Sequence, residues 1–351
     1  MKFIFIKNIL FKRKNKRRSH LKVGVCVIGC GFIGGKAHIP SFNSIPEAKL
    51  VGIVDKDENI AKKYSSKYNV PYYLDYMQLL EKPEIQAVVV SVPTPFHFKI
   101  ASDAIKAGKH VLCEMPLAPT VEEAEKLKSL AEEAGVILMP SLNFRFAPPY
   151  VKAKQLIEEK ALGNPIAIYY REFIPTDVLV AQWPGNSWAW DKNKSGGYPD
   201  FTLSVWSLDL AQWLMEDDIF DIKWLSKYVE LQEYKGVKGY NTIGIAKFSK
   251  NTIASFQFSA LVTYSVATSR LEVFGDSGES LEAIGYDRLI LYSREPDKKE
   301  WIFKEGGTKV WGHYQMDKHF IECVLYGKKP AVTPEDAIKA IRLAKKIVEQ
   351  Q

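Results

Sequence analysis

The feature that most constrains this chain is Gly29-Cys30-Gly31-Phe32-Ile33-Gly34. It directly follows the apolar run Leu21–Ile28 and precedes a helical pattern. A GxGxxG string alone is weak; between a buried strand and a helix it is a dinucleotide-binding turn. The first glycine permits the tight turn, the second lets backbone approach a pyrophosphate, and the third lets helix and strand pack closely. The N–H groups at a helix start, aided by its dipole, hold phosphate. Asp55 ends the next apolar run, Ala48–Val54, where a carboxylate accepts from ribose hydroxyls and repels a 2′-phosphate. The expected cofactor is therefore NAD. Lys56 beside it leaves NADP open, and a glycine turn that binds nothing is the alternative.

The surrounding pattern agrees. Gln86–Val92, Lys109–Cys113 and Val136–Met139 are further short apolar runs that suit buried parallel strands. Between them, Phe98–Ala107 has a helical face stopped by Gly108. Thr120–Ala134 opens with a capping box, Thr120 and Glu123, and ends at Gly135. Such alternation predicts βαβ units in a doubly wound α/β sheet. Beyond Pro148-Pro149 it stops. Tyr150–Lys160 reads as a helix, and Ile166–Phe173, Ile222–Leu231, Thr242–Phe248, Thr252–Leu261 and Arg270–Phe274 read as strands. Trp311–Tyr326 and Thr333–Val348 read as helices. The expectation is a Rossmann domain over 21–145 and an α+β domain over 146–351 with a mostly antiparallel open sheet.

Charge narrows the partners. The 351 residues carry a formal +7, but nine of 48 basic residues lie in 1–22, which has no Asp or Glu. The remainder holds 39 basic and 41 acidic residues, so the excess belongs to an arm over 1–20. In that arm the apolar stretch precedes the basic run, the reverse of a secretory signal, and it is too short to span a bilayer. A flexible tail, an upstream translation start, a surface anchor and a nucleic-acid tail remain open for it. Elsewhere no nucleic-acid motif interleaves aromatic and basic residues, and no apolar run is long enough to span a membrane. Cys26, Cys30, Cys113 and Cys323 form no C-x-x-C pair and no zinc spacing, which suits structural thiols in a reducing cytoplasm and no metal.

Further strings carry a family resemblance: Pro93-Thr94-Pro95-Phe96-His97, Cys113-Glu114-Met115-Pro116, Asn143-Phe144-Arg145-Phe146, and Ser195-Gly196-Gly197-Tyr198-Pro199-Asp200 leading into a helix with Asp209. With GCGFIG and Asp55, and in this order over residues 21–350, the chain resembles the Gfo/Idh/MocA oxidoreductases, named for glucose–fructose oxidoreductase and inositol dehydrogenase. The resemblance implies hydride transfer between nicotinamide and a sugar, polyol or related carbonyl compound. It also implies a homo-oligomer formed through the open sheet. It places the cofactor against the glycine turn, Asp55, Lys56, Pro93, Thr94, His97, Glu114 and Met115.

The chain departs from the family pattern where the chemistry lies. The family usually has a lysine where Met115 stands, a residue thought to act in proton transfer. Counting back from Asp209 puts Trp206 at its usual histidine and Thr202 at its usual aspartate. A Met thioether exchanges no proton and Trp only donates. A positioned base typically contributes ~10²–10⁴-fold to such a step. Either another group took over, or the reaction needs no base, or the chain holds a dinucleotide without chemistry, as a regulatory or structural subunit. Candidate substitutes are His97, Asp200, Tyr198 and Lys194, the last three around a Gly-Gly turn. Asn143, Arg145 and Arg171 are candidate substrate ligands, with ionic ties as the alternative for both arginines. Five of eight tryptophans lie within 182–213. Trp183 and Trp206 are candidate stacking surfaces, and Trp183, Trp188 and Trp190 a candidate lid.

Overall fold

A computed structural model describes residues 22–264, 268–294, 298–304 and 311–349. The basic arm lies outside the described residues. Two sheets organise the chain. The first contains β1 (Val23–Ile28), β2 (Ala48–Val54), β3 (Tyr72–Tyr73), β4 (Ala87–Val90), β5 (His110–Cys113) and β6 (Leu138–Pro140). All are parallel, in the order β3-β2-β1-β4-β5-β6. Every residue of β1 and β4 is buried, as expected of central strands covered on both faces. The order reverses between β1 and β4, and that switch point is where such sheets bind ligands.

The helix ends follow their residues. Thr120 caps Val121–Ala134 by accepting from the Glu123 N–H at 3.1 Å, and Gly135 closes it in the left-handed region at φ +65°. Asp57 caps Glu58–Tyr68 in the same way. The glycine motif enters a π-helical turn, Gly34–His38, continuing into the helix Ile39–Ser44.

The second sheet has eight strands: β7 (Pro165–Pro175), β8 (Ile219–Glu230), β9 (Lys238–Phe248), β10 (Ile253–Val262), β11 (Thr268–Gly275), β12 (Ser280–Ile284), β13 (Arg288–Tyr292) and β14 (Lys299–Ile302). Their order is β14-β13-β12-β11-β7-β10-β9-β8, antiparallel throughout except for the β7–β10 pair. The helix Pro199–Met215 covers one face, over β10 and β7. The other face carries exposed apolar side chains.

The last two helices return to the first sheet. His313–Tyr326 packs on the helix after the glycine motif, and Pro334–Glu349 packs between Val121–Ala134 and Pro199–Met215. No helix among the described residues is long and apolar enough to cross a membrane.

Candidate functional site

The three motif glycines do different work. Gly29 has φ +96°, and a Cβ there would lie 2.1 Å from the Ser91 carbonyl oxygen; a Cβ on Gly34 would lie 1.9 Å from the Gly29 oxygen. These two hold the turn against β4. A Cβ on Gly31 meets nothing within 4 Å, so the open space above it is a cradle for a ligand. Cys30 is buried and donates its N–H to Asp55 Oδ2 at 2.8 Å, while the Asp57 N–H donates to Oδ1 at 2.9 Å. Two backbone donors thus fix the carboxylate at the rim of a cavity of about 600 Å³. Its walls include Gly31, Leu74, Val92, Pro93, Phe96 and Ile100, an apolar slot suited to a nucleoside. Lys56 turns its ammonium over the Phe96 ring, 5.0 Å from the centroid. Phe32 is exposed and stacks on Trp311, with centroids 6.2 Å apart; Ile33 lies half-buried beside it. An open cradle, a fixed carboxylate and an apolar slot fit NAD.

This slot reaches the segment that follows β4, Ser91–Pro93. Thr94 is buried there. His97 differs from the expected proton-transfer group. Its Nε2 lies 2.7 Å from the Val92 carbonyl oxygen and its Nδ1 2.8 Å from that of Pro116. Burial pushes its pKa below the ordinary histidine value. Facing backbone on both sides, the ring ties the β4 turn to the cis Met115-Pro116 bond and is not presented to a substrate.

Glu114, at the end of β5, belongs to a buried network that sequence reasoning missed. His38 donates from Nε2 to Glu114 Oε1 at 2.9 Å and from Nδ1 to Asp317 Oδ1 at 3.0 Å. Ser141 donates to Glu114 Oε1, and the Met115 N–H donates to Oε2 at 3.3 Å. Burial alone would push the His38 pKa down; Asp317 and Glu114 outweigh it and raise it to about 10. The two acidic side chains therefore favour the protonated ring of His38 between them, while burial raises the Asp317 pKa. Burial resists ionisation of Glu114, but His38 prevails and its pKa is lowered. Neighbouring His313 is pushed down to about 4, chiefly by burial. One donor atom each from His38, Glu114 and His313 lies within 4.8 Å of the others, a spacing a metal could use. Both nitrogens of His38 are nevertheless bonded to carboxylates.

The second domain packs against the ends of these strands. Trp206 donates from Nε1 to the Ser141 carbonyl at 3.0 Å and lies beside Phe144. One turn later Asp209 takes Arg145, whose Nε donates to Oδ2 at 2.8 Å. Asp336 adds a third contact at 3.1 Å. Arg145 thus makes the ionic tie between the domains that the sequence left open beside a substrate role. Asn143 donates to the Trp311 carbonyl at 2.7 Å.

Arg171 is corrected. It lies opposite Gln257, on the outer face of the second sheet, while Glu172 and Tyr170 face inward with Phe258 and Phe256. Trp183 is buried, and its carbonyl accepts from Trp190 Nε1 at 3.0 Å. The turn Lys192–Ser195 packs on Thr94–Phe96, over the end of β4.

Around the Gly-Gly turn the expected groups separate. Asp200 is fully buried and accepts from Tyr228 and Thr242 hydroxyls, each at 2.6 Å; burial raises its pKa. Lys194 is exposed and pairs with Asp191 at 2.9 Å. Tyr198 is half-buried, with Lys238 donating to its hydroxyl at 3.2 Å.

Comparison with known proteins agrees with this geometry. Residues 23–142 match the model of an oxidoreductase family with an NAD-binding Rossmann fold. Residues 154–351 match the model of that family's C-terminal alpha/beta domain. The chain is 26% identical to a myo-inositol 2-dehydrogenase of Thermotoga maritima, over 94% of this chain and 97% of that one. It is 25% identical to an NAD(+) scyllo-inositol 2-dehydrogenase of Bacillus subtilis, over 90% of each. In fold it resembles a levoglucosan dehydrogenase solved with NADH and levoglucosan, at TM-score 0.82 and 20% identity, covering 93% of this chain and 96% of that one.

Proposed function

The chain belongs to the Gfo/Idh/MocA oxidoreductase family, and from that premise we propose that it moves hydride between NAD and a sugar or polyol through an altered proton relay. The observation that carries this reading is the open cradle at Gly31 beside the fixed Asp55 carboxylate, at a cavity that Val92, Pro93 and Phe96 line after β4. NAD, when bound, supplies the hydride acceptor, and NADH the donor. The glycine turn and Asp55 bind the nucleotide, and the Asp55 carboxylate disfavours a 2′-phosphate, so NAD is preferred over NADP. The Pro93–Phe96 turn and Glu114–Met115 orient its other end. Trp206 and the turn Lys192–Ser195 exclude water from the crevice.

The relay is altered because Met115 and Trp206 stand at the positions that the resemblance gives to lysine and histidine. Those two side chains also favour a second reading, a dinucleotide-binding subunit without chemistry. A panel of inositols, sugars and anhydrosugars, followed by NADH absorbance, separates the two. The oxidoreductase reading expects turnover with at least one compound. NAD binding without turnover would leave the silent subunit.

The partner of the outer sheet face is, in this proposal, a second copy of the chain. Leu225, Ile243 and Ile245 are adjacent there and 79%, 50% and 61% exposed, an apolar patch that monomers rarely carry. Ile245→Glu is expected to convert an oligomer into monomers in analytical ultracentrifugation. A wild-type chain that sediments as a monomer would remove this assignment. The four cysteines are buried thiols, which supports the cytoplasm as its compartment.

A further inference from the structure

We propose that Tyr198, with Lys238 as its positioning partner, is the proton-transfer group that stands in for the replaced lysine and histidine. The inference deepens the oxidoreductase reading and rests on it.

Three observations converge. The first is contact: Lys238 Nζ donates to the Tyr198 hydroxyl at 3.2 Å. A second ammonium, that of Lys192, lies 4.7 Å from the centre of the same ring. Burial and ring contacts hold the phenol in place, with Tyr228 at 5.1 Å and Trp190 at 6.3 Å. The second is position. Tyr198 is the residue before the helix Pro199–Met215, whose Trp206 reaches the end of β6. The turn just before it, Lys192–Ser195, lies on Thr94–Phe96 at the end of β4. A Cβ on Gly196 would lie 2.5 Å from the Pro119 oxygen, so this stretch is seated on the loop that follows Met115-Pro116. The backbone at Tyr198 therefore follows directly on a stretch seated against the loops after β4 and β5, while its hydroxyl meets Lys238 of β9. The third is elimination among the candidate groups. His97 faces backbone, Asp200 is sealed under Tyr228 and Thr242, and Lys194 points to solvent with Asp191.

The chemistry balances. In the direction of carbonyl reduction, the substrate carbon takes the hydride and the C=O π pair moves to oxygen. Tyr198 breaks its O–H bond and gives that proton to the oxygen, leaving a phenolate. Lys238, hydrogen-bonded to that oxygen, stabilises the negative charge as a positive neighbour. Its side chain is 32% exposed, so a solvent proton reaches the phenolate through it. Oxidation runs the same steps backwards. The Lys238 ammonium is held above the ordinary lysine pKa, chiefly by the Tyr198 hydroxyl and also by the Glu230 carboxylate 3.4 Å away.

The test compares the full-length wild type with Tyr198→Phe and Lys238→Met. Tyr198→Phe is expected to lower kcat by about 10²–10⁴-fold, the usual weight of a general acid–base group. Its NAD affinity, measured by calorimetry, stays within threefold. Lys238→Met lowers kcat less and moves the pH profile of oxidation to higher pH, a shift that a merely structural lysine would not produce. Independently of turnover, NMR titration of the Lys238 ε-carbon is expected to fall back towards the ordinary lysine range in Tyr198→Phe. An active wild type with a Tyr198→Phe variant within threefold of it would overturn this inference alone. Equal losses of NAD affinity and kcat in Tyr198→Phe would also overturn it, since the residue would then be structural. A wild type that binds NAD and transfers no hydride would overturn the oxidoreductase reading and this inference together.

Discussion

Replacing His38 with alanine is expected to destabilise the fold by about 3–5 kcal/mol, the usual cost of removing one partner from a buried ion pair. The side chain is fully buried and both its nitrogens bond to carboxylates. Removing it leaves Glu114 and Asp317 as two buried negative groups with no cation between them. The effect reaches across the molecule, because the three residues belong to the first helix after the glycine turn, the end of β5 and the helix His313–Tyr326. The pH dependence has a definite sign. The His38 pKa in the folded chain, about 10, lies above its unfolded value of about 6.5. Its contribution is therefore complete below about pH 6.5 and is lost as pH rises through about 10. Glu114, with a lowered pKa, adds stability above its unfolded value that is lost as pH falls; Asp317, raised by burial, acts in the opposite sense. Urea unfolding at neutral pH and near pH 10 measures both effects. The wild type should lose stability on the alkaline side, and His38→Ala should lose far less there. A neutral-pH cost under about 1 kcal/mol would place the network outside the list of strong buried pairs.

Gly31→Val is expected to abolish cofactor binding while leaving the fold intact. The added side chain meets no protein atom at its Cβ, and Gly31 is not among the residues with positive φ. Stability should change by no more than about 0.5 kcal/mol, as for other open surface positions. NAD affinity should fall at least about a hundredfold, or about 2.7 kcal/mol, because the side chain occupies the cradle. Gly29→Ala behaves differently. Its Cβ would strike the Ser91 carbonyl and its φ of +96° is strained for alanine, so stability and NAD binding should fall together. Calorimetric titration with NAD and thermal unfolding of both variants separate these outcomes. Unchanged NAD affinity in Gly31→Val would refute the assignment of the cradle.

The first sheet was legible because β1 and β4 are buried at every residue and β2 and β5 at most of theirs, so that they read as short apolar runs, broken in β2 only by Lys49 and Gly52. Helix ends were legible where a side chain caps them, as at Thr120. Pro148-Pro149 was read as a break, yet both prolines open the helix Pro148–Glu158, because the first turn needs no N–H donors. The strands β3, β12, β13 and β14 were not separately legible. They are two to five residues long, and β14, Lys-Glu-Trp-Ile, has no clean alternation.

The cofactor half of the site was legible from one local motif. The rest depended on facts that sequence spacing does not carry. His38 and Asp317 are 279 positions apart. The face that Arg171 takes is not legible in the sequence because β7 is apolar on both sides: Ile168 and Tyr170 face the core, and Tyr169 faces the open surface. Period-two alternation is ambiguous where the outer face is itself apolar. Lys238 was missed because it lies on β9, 40 positions from Tyr198, and only the folded chain brings the two together.

The central claim is that this chain transfers hydride with NAD. Its most direct test is pre-steady-state absorbance of NADH after mixing purified protein and NAD with the inositol and anhydrosugar panel. The account predicts NADH formation with at least one compound, rising with pH and lost in Gly31→Val. Tight NAD binding with no NADH formed from any compound at any pH, and no NADH consumed by the matching ketones, would contradict it.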